Sequence, residues 1–299
     1  MSMVNKKNTN KIFITLIFLF IFSNNIKAEI IIYSPNKTYY KQAAELFLKK
    51  VKEQLKNEEI KILYNGFNEF NKNYFIVSLG GEYTQKVIKS NSNKIFFFMT
   101  ADTTLFDLIE RKKNSNYKIK IGGIFYIPEI EERIKIIKNI FNNKYTIAIL
   151  YSDSSKIYSQ KIYKIAQKYN IKTILVKTNR KNFLINMEKA FNAGNILWMI
   201  PDSNIYDQLS IKLTIINAVK RGIPVITFSP AFIESGAFMS YEIDNNRYII
   251  EATKIFLDCY QKNICKIKFS KNFKIIINKN LAKFWNVKIK NSENIILKE

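Results

Sequence analysis

The stretch from residue 145 to residue 200, YTIAILYSDSSKIYSQKIYKIAQKYNIKTILVKTNRKNFLINMEKAFNAGNILWMI, decides the fold class. Apolar runs at 145–151, 171–177 and 195–200 alternate with stretches whose apolar residues recur at helical spacing. Short continuous apolar runs rich in β-branched residues indicate strands that are buried on both faces. Such strands, separated by helices, are typical of a parallel sheet covered by helices.

The same alternation extends in both directions from this stretch. The further predicted strands are 29–33, 60–64, 74–79, 94–99, 119–126 and 224–228, and the predicted helices are 39–55, 82–89, 104–111, 129–141, 159–169, 182–191 and 206–221. The last of these helices ends at Gly222, a residue that favours the left-handed conformation of a helix stop. Because the pattern restarts after Pro128, two similar sheets are favoured over one very wide sheet.

We therefore predict the fold class α/β, with two doubly wound parallel-sheet lobes and a ligand cleft between them. Lobe 1 comprises residues 29–127 and is completed by about 241–275. Lobe 2 comprises residues 128–240, together with part of the C-terminal tail 276–299.

Residues 1–28 are typical of a secretory signal peptide. Lys6, Lys7 and Lys11 precede the apolar run 12–23, and Ala28 supplies a small residue at the cleavage point. The apolar run is shorter than the roughly 20 residues of a membrane-spanning helix. No cysteine follows it, so we predict a periplasmic protein cleaved after about Ala28 that is not a lipoprotein.

The chain is strongly basic, with 48 Lys and Arg against 24 Asp and Glu, for a net charge of +24. Removal of residues 1–28, which hold four lysines and no acid, leaves +20. Because the basic residues are spread along the chain and accompany over-used Asn, Ile, Phe and Tyr, the charge is attributed to compositional drift. We therefore expect no nucleic-acid partner.

The sequence contains no histidine. This excludes Ser-His-Asp and Cys-His nucleophilic sites and the two-histidine zinc motif. Neither Gly-x-Gly-x-x-Gly nor Gly-x-x-x-x-Gly-Lys-Ser/Thr occurs, so the usual phosphate-binding loops are absent from the sequence as well. We accordingly predict no catalytic residues, no metal and no cofactor.

Cys259 and Cys265 are the only cysteines, six residues apart at the end of a helical pattern. In an oxidising exported compartment a local disulfide between them is favoured. Two ligands alone make a poor metal site.

Polar and glycine residues follow most of the predicted strands. In open parallel sheets, ligands bind outside the carboxyl ends of the strands, where helix N-termini present free N–H groups. The alternative is that these residues simply cap helices, and Asp102 and Asp107 also fit N-terminal helix charges. The predicted ligand-binding residues are Gly80, Gly81, Thr100, Asp102, Tyr151, Ser154, Ser155, Asp202, Ser203 and Ser229.

Asp202 is the candidate partner for a ligand ammonium group, because it directly follows a buried strand. Thr100 and Gly81 would then supply hydroxyl and N–H contacts from the opposite lobe. The competing interpretation is that Asp202 caps the helix predicted to begin near Tyr206.

Several segments resemble the substrate-binding proteins of a family of bacterial ABC transporters whose better-known members take up aromatic amino acids. The resemblance is carried by LYSDSSKIYSQ (150–160), the strand ending at 201–203, RGIPVITFSPAFIESGAFMSYEID (221–244), NRYIIEATKIFLD (246–258) and IIINKNLAKFWNVKI (275–289). Asn286 stands where the family usually has a Gly helix stop, and Asn tolerates the same left-handed conformation. VSLGGEYTQ (77–85) departs from the family's Gly-Thr-x-Ala type loop.

The resemblance implies a type I periplasmic-binding-protein fold that binds its ligand between two lobes. The implied function is the periplasmic solute-binding component of an ABC importer, a monomer that binds a small polar molecule, with an amino acid as one candidate. Its partners would be that ligand and the transporter permease with its ATPase. The alternatives are an exported ligand sensor for a membrane receptor and an exported enzyme that uses Asp102, Asp202 or Glu234.

Overall fold

The computed structural model describes residues 29–66, 73–90, 92–114, 119–141, 145–287, 289 and 294–299. The predicted signal peptide lies outside the described residues. Within the described part of the chain, no helix is both long enough and apolar enough to cross a membrane.

A six-stranded, wholly parallel sheet forms the first half of the molecule, in the order β2-β1-β3-β4-β5-β11. Its strands are β1 (Ile30–Ser34), β2 (Ile60–Tyr64), β3 (Phe75–Leu79), β4 (Lys94–Thr100), β5 (Lys120–Pro128) and β11 (Ile267–Ser270). Every residue of β1 and β3 is buried, because helices cover both faces of the sheet. The covering helices include α1 (Thr38–Gln54), α2 (Gly81–Lys89), α3 (Thr103–Lys113) and α8 (Asn245–Lys262).

A seven-stranded sheet forms the second half, in the order β7-β6-β8-β9-β10-β12-β13. Its strands are β6 (Thr146–Tyr151), β7 (Lys172–Lys177), β8 (Ile196–Trp198), β9 (Val225–Ile226), β10 (Met239–Ile243), β12 (Phe273–Asn278) and β13 (Ile295–Lys298). The remaining helices are α4 (Ile130–Phe141), α5 (Lys156–Lys168), α6 (Phe183–Ala193), α7 (Gln208–Lys220) and α9 (Lys279–Phe284). The fold class is confirmed, with one departure: β10 and β12 pair antiparallel.

The chain passes between the two sheets at residues 128–130, 243–245 and 270–273. After β10, helix α8 packs against α1 and β5 of the first sheet. The chain then forms β11 beside β5 before it returns to the second sheet as β12. The lobe limits at 127, 240 and 275 remain a prediction, since sheet membership alone does not define them.

Two predicted helix starts are wrong by two or three residues. Helix α5 begins at Lys156, directly after a short 3₁₀ helix at Asp153–Ser155, rather than at Ser159. Helix α7 begins at Gln208 rather than Tyr206, because Asp207 and Ser210 form a reciprocal capping box with hydrogen bonds of 2.8 Å.

Two predicted left-handed stops are confirmed. Gly222, which follows α7, has φ 67°, and Asn286, which follows α9, has φ 51°. In the same fold, Cys259 and Cys265 are joined by a disulfide across the last turn of α8.

Candidate ligand-binding cleft

The carboxyl edges of the two sheets face each other, and the loops after β4 and β8 bridge them directly. Thr103 donates from its backbone N–H and from its hydroxyl to the carbonyl of Pro201, at 2.8 and 2.9 Å. The Ser203 hydroxyl donates to Asp102 Oδ2 at 2.6 Å. Residues about a hundred positions apart in the chain therefore meet at this point.

Asp102 uses both carboxylate oxygens. Oδ1 accepts the backbone N–H of Thr104 at 2.9 Å, so Asp102 is the N-cap of α3, as its helix-charge interpretation predicted. Oδ2 accepts the hydroxyl of Ser203 from the other sheet. The structure thus brings two predicted site residues together by bonding them to each other.

Helices α3 and α5 extend this bridge away from the loops. The buried carboxylate of Asp107 accepts the backbone N–H groups of Ile157 and Tyr158 at 2.8 and 2.9 Å, in the first turn of α5. The prediction that Asp107 is an N-terminal charge of its own helix is therefore wrong: it caps a helix that packs on the other sheet. Burial raises the pKa of Asp107 to about 6, although both N–H groups and Arg111 oppose that rise.

Asp202 organises the loops of the second sheet. It is 1% exposed. Its Oδ2 accepts the N–H of Ser152 at 3.1 Å and the hydroxyl of Ser155 at 2.5 Å, and its Oδ1 accepts the N–H of Asn204 at 2.9 Å. The predicted cap of α7 is wrong, since Asp207 holds that position. The predicted pairing with a ligand ammonium group remains a prediction.

Gly81 and Thr100 also come together, at the N-terminus of α2. Gly80 has φ 78°, a conformation that favours glycine, and its N–H donates to the carbonyl of Phe98. A Cβ on Gly81 would lie 3.2 Å from the hydroxyl oxygen of Thr100. That hydroxyl is buried and has no hydrogen-bond partner among the described residues.

The other predicted site residues make their contacts locally. Ser154 N donates to the hydroxyl of Ser152 within the 3₁₀ turn. The carbonyl of Tyr151 accepts the N–H of Thr178, and that of Ser229 accepts the hydroxyl of Thr227. Their roles as ligand contacts remain predictions.

Beside the bridge, the carboxyl ends of β1, β2 and β3 leave a cavity of about 410 Å³. Tyr83 donates from its hydroxyl to Asn65 Oδ1 at 2.6 Å, and Asn36 donates from its N–H to the same oxygen at 3.3 Å. The lining residues are Pro35, Asn36, Lys37, Tyr40, Asn65, Gly80, Gly81, Glu82 and Tyr83. Sequence analysis found only the two glycines. The Asn65-Gly66 turn, in which both residues have positive φ, was a signal for this loop.

Near the second crossing between the sheets, Asn245 accepts hydrogen bonds from two tyrosines. Tyr39 and Tyr126 both donate to Asn245 Oδ1, and the two rings meet edge to face with their centroids 6.5 Å apart. Burial raises the pKa of Tyr126 well above its usual range. This cluster joins the start of α1 to the start of α8.

Within the described residues, no group of three or more His, Cys, Asp or Glu is arranged to hold a metal ion. The cavity presents amide, hydroxyl and backbone N–H groups beside aromatic rings. Such a surface can orient a small polar molecule.

Comparison with protein families matches residues 50–298 to the model described as ABC transporter substrate binding protein. No curated protein sequence is significantly similar to this chain.

Similar solved structures share the fold at low sequence identity. One is the ABC domain from Streptococcus pneumoniae in complex with L-Trp, with 13% identity, TM-score 0.60 and coverage of 90% of this chain and 100% of that chain. Another is a ligand-free, open substrate-binding protein with adhesive properties from Clostridium difficile, with 15% identity, TM-score 0.60 and coverage of 92% and 100%. A conserved domain protein from Vibrio cholerae has 14% identity, TM-score 0.57 and coverage of 89% and 96%. Because the identities are low, these likenesses establish the type I periplasmic-binding-protein-like fold and no ligand.

Proposed function

Because the chain belongs to the ABC transporter substrate-binding protein family, we propose that it is the exported solute-binding component of an importer. In this proposal it carries a small polar molecule between its two sheets to a permease that works with an ATPase. The protein is a monomer in the periplasm after cleavage near Ala28, and it catalyses no reaction.

The observation that carries the proposal is the meeting of the two carboxyl edges beside an open cavity. The Thr103–Pro201 and Asp102–Ser203 hydrogen bonds span the facing edges, while about 410 Å³ stays open at the ends of β1, β2 and β3. Closure of two domains around a ligand excludes water and strengthens each polar contact. A permease distinguishes the loaded from the empty protein if the two differ in shape.

The cavity favours a ligand with a polar end and a flat or ring-shaped body. No side chain of the described residues caps the N-terminus of α2, so the N–H groups of its first turn are available to a carboxylate or hydroxyl oxygen. Tyr40 and Tyr83 line the same space and contribute aromatic surface to it. An amino acid with an aromatic side chain meets both requirements, and so does a hydroxylated ring.

The proposal is tested on processed protein purified without refolding. Native mass spectrometry is expected to detect a retained small molecule, and scanning fluorimetry against amino acids and monosaccharides is expected to single out a compound class. A compound at 100 times its dissociation constant adds about 2.7 kcal/mol to the free energy of unfolding. Protein that retains no compound and is stabilised by none would contradict ligand binding.

Export is tested separately by intact mass of the secreted protein. The expected N-terminus is Glu29, and a mass that still includes residues 1–28 would contradict the cleavage.

A further inference from the structure

Arg133 is a fully buried cation that forms no ion pair with a carboxylate of the described residues. It lies on α4 and is 1% exposed. Among the described residues, the arginines that form ion pairs with carboxylates are Arg111, Arg221 and Arg247. Glu129, one helical turn before Arg133, uses its carboxylate to accept the N–H of Ile130 at 3.3 Å. A buried charge that lacks a counterion is costly unless other groups compensate it.

Aromatic side chains surround this guanidinium. Its carbon lies 4.8 Å from the ring centroid of Trp198 and 5.5 Å from that of Tyr241. One terminal nitrogen donates to the hydroxyl oxygen of Tyr158 at 2.5 Å. We call these four residues the guanidinium cage. Cation–π contacts with two rings offset part of the desolvation cost.

Three donor groups of the cage nevertheless lack an acceptor. Arg133 Nε and Trp198 Nε1 are buried and have no hydrogen-bond partner in the described structure, and the buried hydroxyl of Tyr241, which lies beside the guanidinium of Arg133, has no acceptor there for its own proton. The first two atoms are donors only, and a tyrosine hydroxyl is able to donate as well. Most buried polar groups in proteins are hydrogen-bonded. Several unpaired donors on neighbouring side chains therefore indicate an acceptor that they share.

The charge of the cage determines which acceptor fits. A water oxygen satisfies the donors but leaves the positive charge of Arg133 uncompensated. An anion does both, and Coulomb attraction between unit charges is far stronger in a protein interior than in water. We propose that the guanidinium cage binds a small monovalent anion, for which chloride is the probe.

The cage is separate from the cavity at the first sheet, because none of its residues lines that cavity. It joins α4, which follows the first crossing between the sheets, to β10, which precedes the second. Bound anion would therefore stabilise the second half of the molecule near two of its crossings.

The test measures thermal unfolding in sodium chloride and sodium gluconate mixtures at constant ionic strength, so that general screening is held fixed. Wild-type protein is expected to show a rise in Tm that saturates with chloride. Tyr241→Phe keeps the ring but loses the hydroxyl. It should raise the chloride concentration at half-saturation by about tenfold. Arg133→Met should abolish the chloride response, and Arg221→Met, at an exposed ion pair, should leave it unchanged.

Crystals soaked in bromide provide a second readout that does not depend on how the variants fold. An anomalous peak beside Arg133 Nε supports the proposal. The absence of an anomalous peak at the cage overturns the proposal. A wild-type Tm that does not depend on chloride also overturns it. An identical chloride response in wild type and folded Tyr241→Phe also overturns it.

Discussion

Two regions of the facing sheet edges differ in how their polar groups are satisfied. At the bridge, defined by Asp102, Thr103, Asp107 and their partners on the other sheet, each carboxylate oxygen of Asp102 and Asp107 accepts a protein donor. At the cavity, defined by Asn36, Asn65, Tyr83 and the start of α2, no side chain in the described part of the chain caps the first-turn N–H groups. Groups that are satisfied internally stabilise the fold, whereas groups left open can recognise a ligand. Substitutions at the bridge should therefore change stability, and those at the cavity should change affinity.

The largest effect is expected at Asp107 and depends on pH. Its pKa is raised from 3.8 to about 6 in the folded protein, so the folded state binds this proton more tightly than the unfolded state. That contribution is fully present below about pH 4 and is lost as the pH rises through 6. The loss amounts to about 3 kcal/mol at neutral pH, relative to an Asp107→Asn variant that does not titrate.

Urea unfolding of both proteins at pH 4, 5, 6 and 7 measures this difference. Asp107→Asn also removes one acceptor of a backbone N–H group, and this cost in unfolding free energy does not change with pH. Asp153→Asn is the matched control, because the hydrogen bond from Lys177 lowers the pKa of that exposed carboxylate, so its contribution to stability is lost only below about pH 4 and stays nearly constant from pH 5 to 7. A difference between wild type and Asp107→Asn that stays constant over this pH range would contradict the prediction.

The next effect concerns Asp202, which resembles the bridge carboxylates in that its oxygens accept protein donors, namely Ser152, Ser155 and Asn204. Asp202→Asn is then expected to lower the free energy of unfolding by about 2 kcal/mol, because one buried donor loses its acceptor. Affinity for the retained ligand should remain within about threefold. A loss of about 30-fold or more, measured by isothermal titration, would instead assign Asp202 to an ammonium group of the ligand.

A smaller effect is expected from the Asp102–Ser203 contact between the sheets. A double-mutant cycle with Asp102→Ala and Ser203→Ala isolates it from the helix cap that Asp102 also provides. We expect a coupling of about 1 kcal/mol in unfolding free energy, since the bond is charge-assisted but Ser203 is exposed. Strictly additive effects of the two substitutions would show that the bridge contributes no stability at this point.

The smallest effect is expected at the cavity. Tyr83→Phe removes the hydroxyl that holds Asn65 at the cavity and should weaken ligand binding by about threefold to tenfold. Because that hydrogen bond is exposed, stability should stay nearly unchanged. Tyr163→Phe is the control, because its hydroxyl accepts a hydrogen bond from Gln167 on the exposed side of α5. If Tyr83→Phe destabilises the protein and leaves affinity unchanged, the distinction between the two regions is wrong.

The sequence identified some of the residues at the cavity and missed others. Gly81 and Thr100 were identified together because both follow strands of one parallel sheet, whose carboxyl ends share an edge. Asn36, Asn65 and Tyr83 were missed, because Asn65, which follows β2, and Tyr83, in the first turn of α2, meet only in the folded chain. No local sequence pattern predicts a contact between side chains that lie on separate elements of the fold.

The sequence by itself determined the features that depend on neighbouring residues. Runs of β-branched residues identified the buried strands, and Gly222 and Asn286 marked helix ends because both tolerate positive φ. Tertiary structure alone decided the antiparallel pairing of β12 with β10 and the use of Asp107 to cap a helix on the other sheet. It also buried Arg133 among aromatic rings. Each of these depends on which distant segments pack together, and side-chain burial and hydrogen-bond partners are set by that packing rather than by position along the chain.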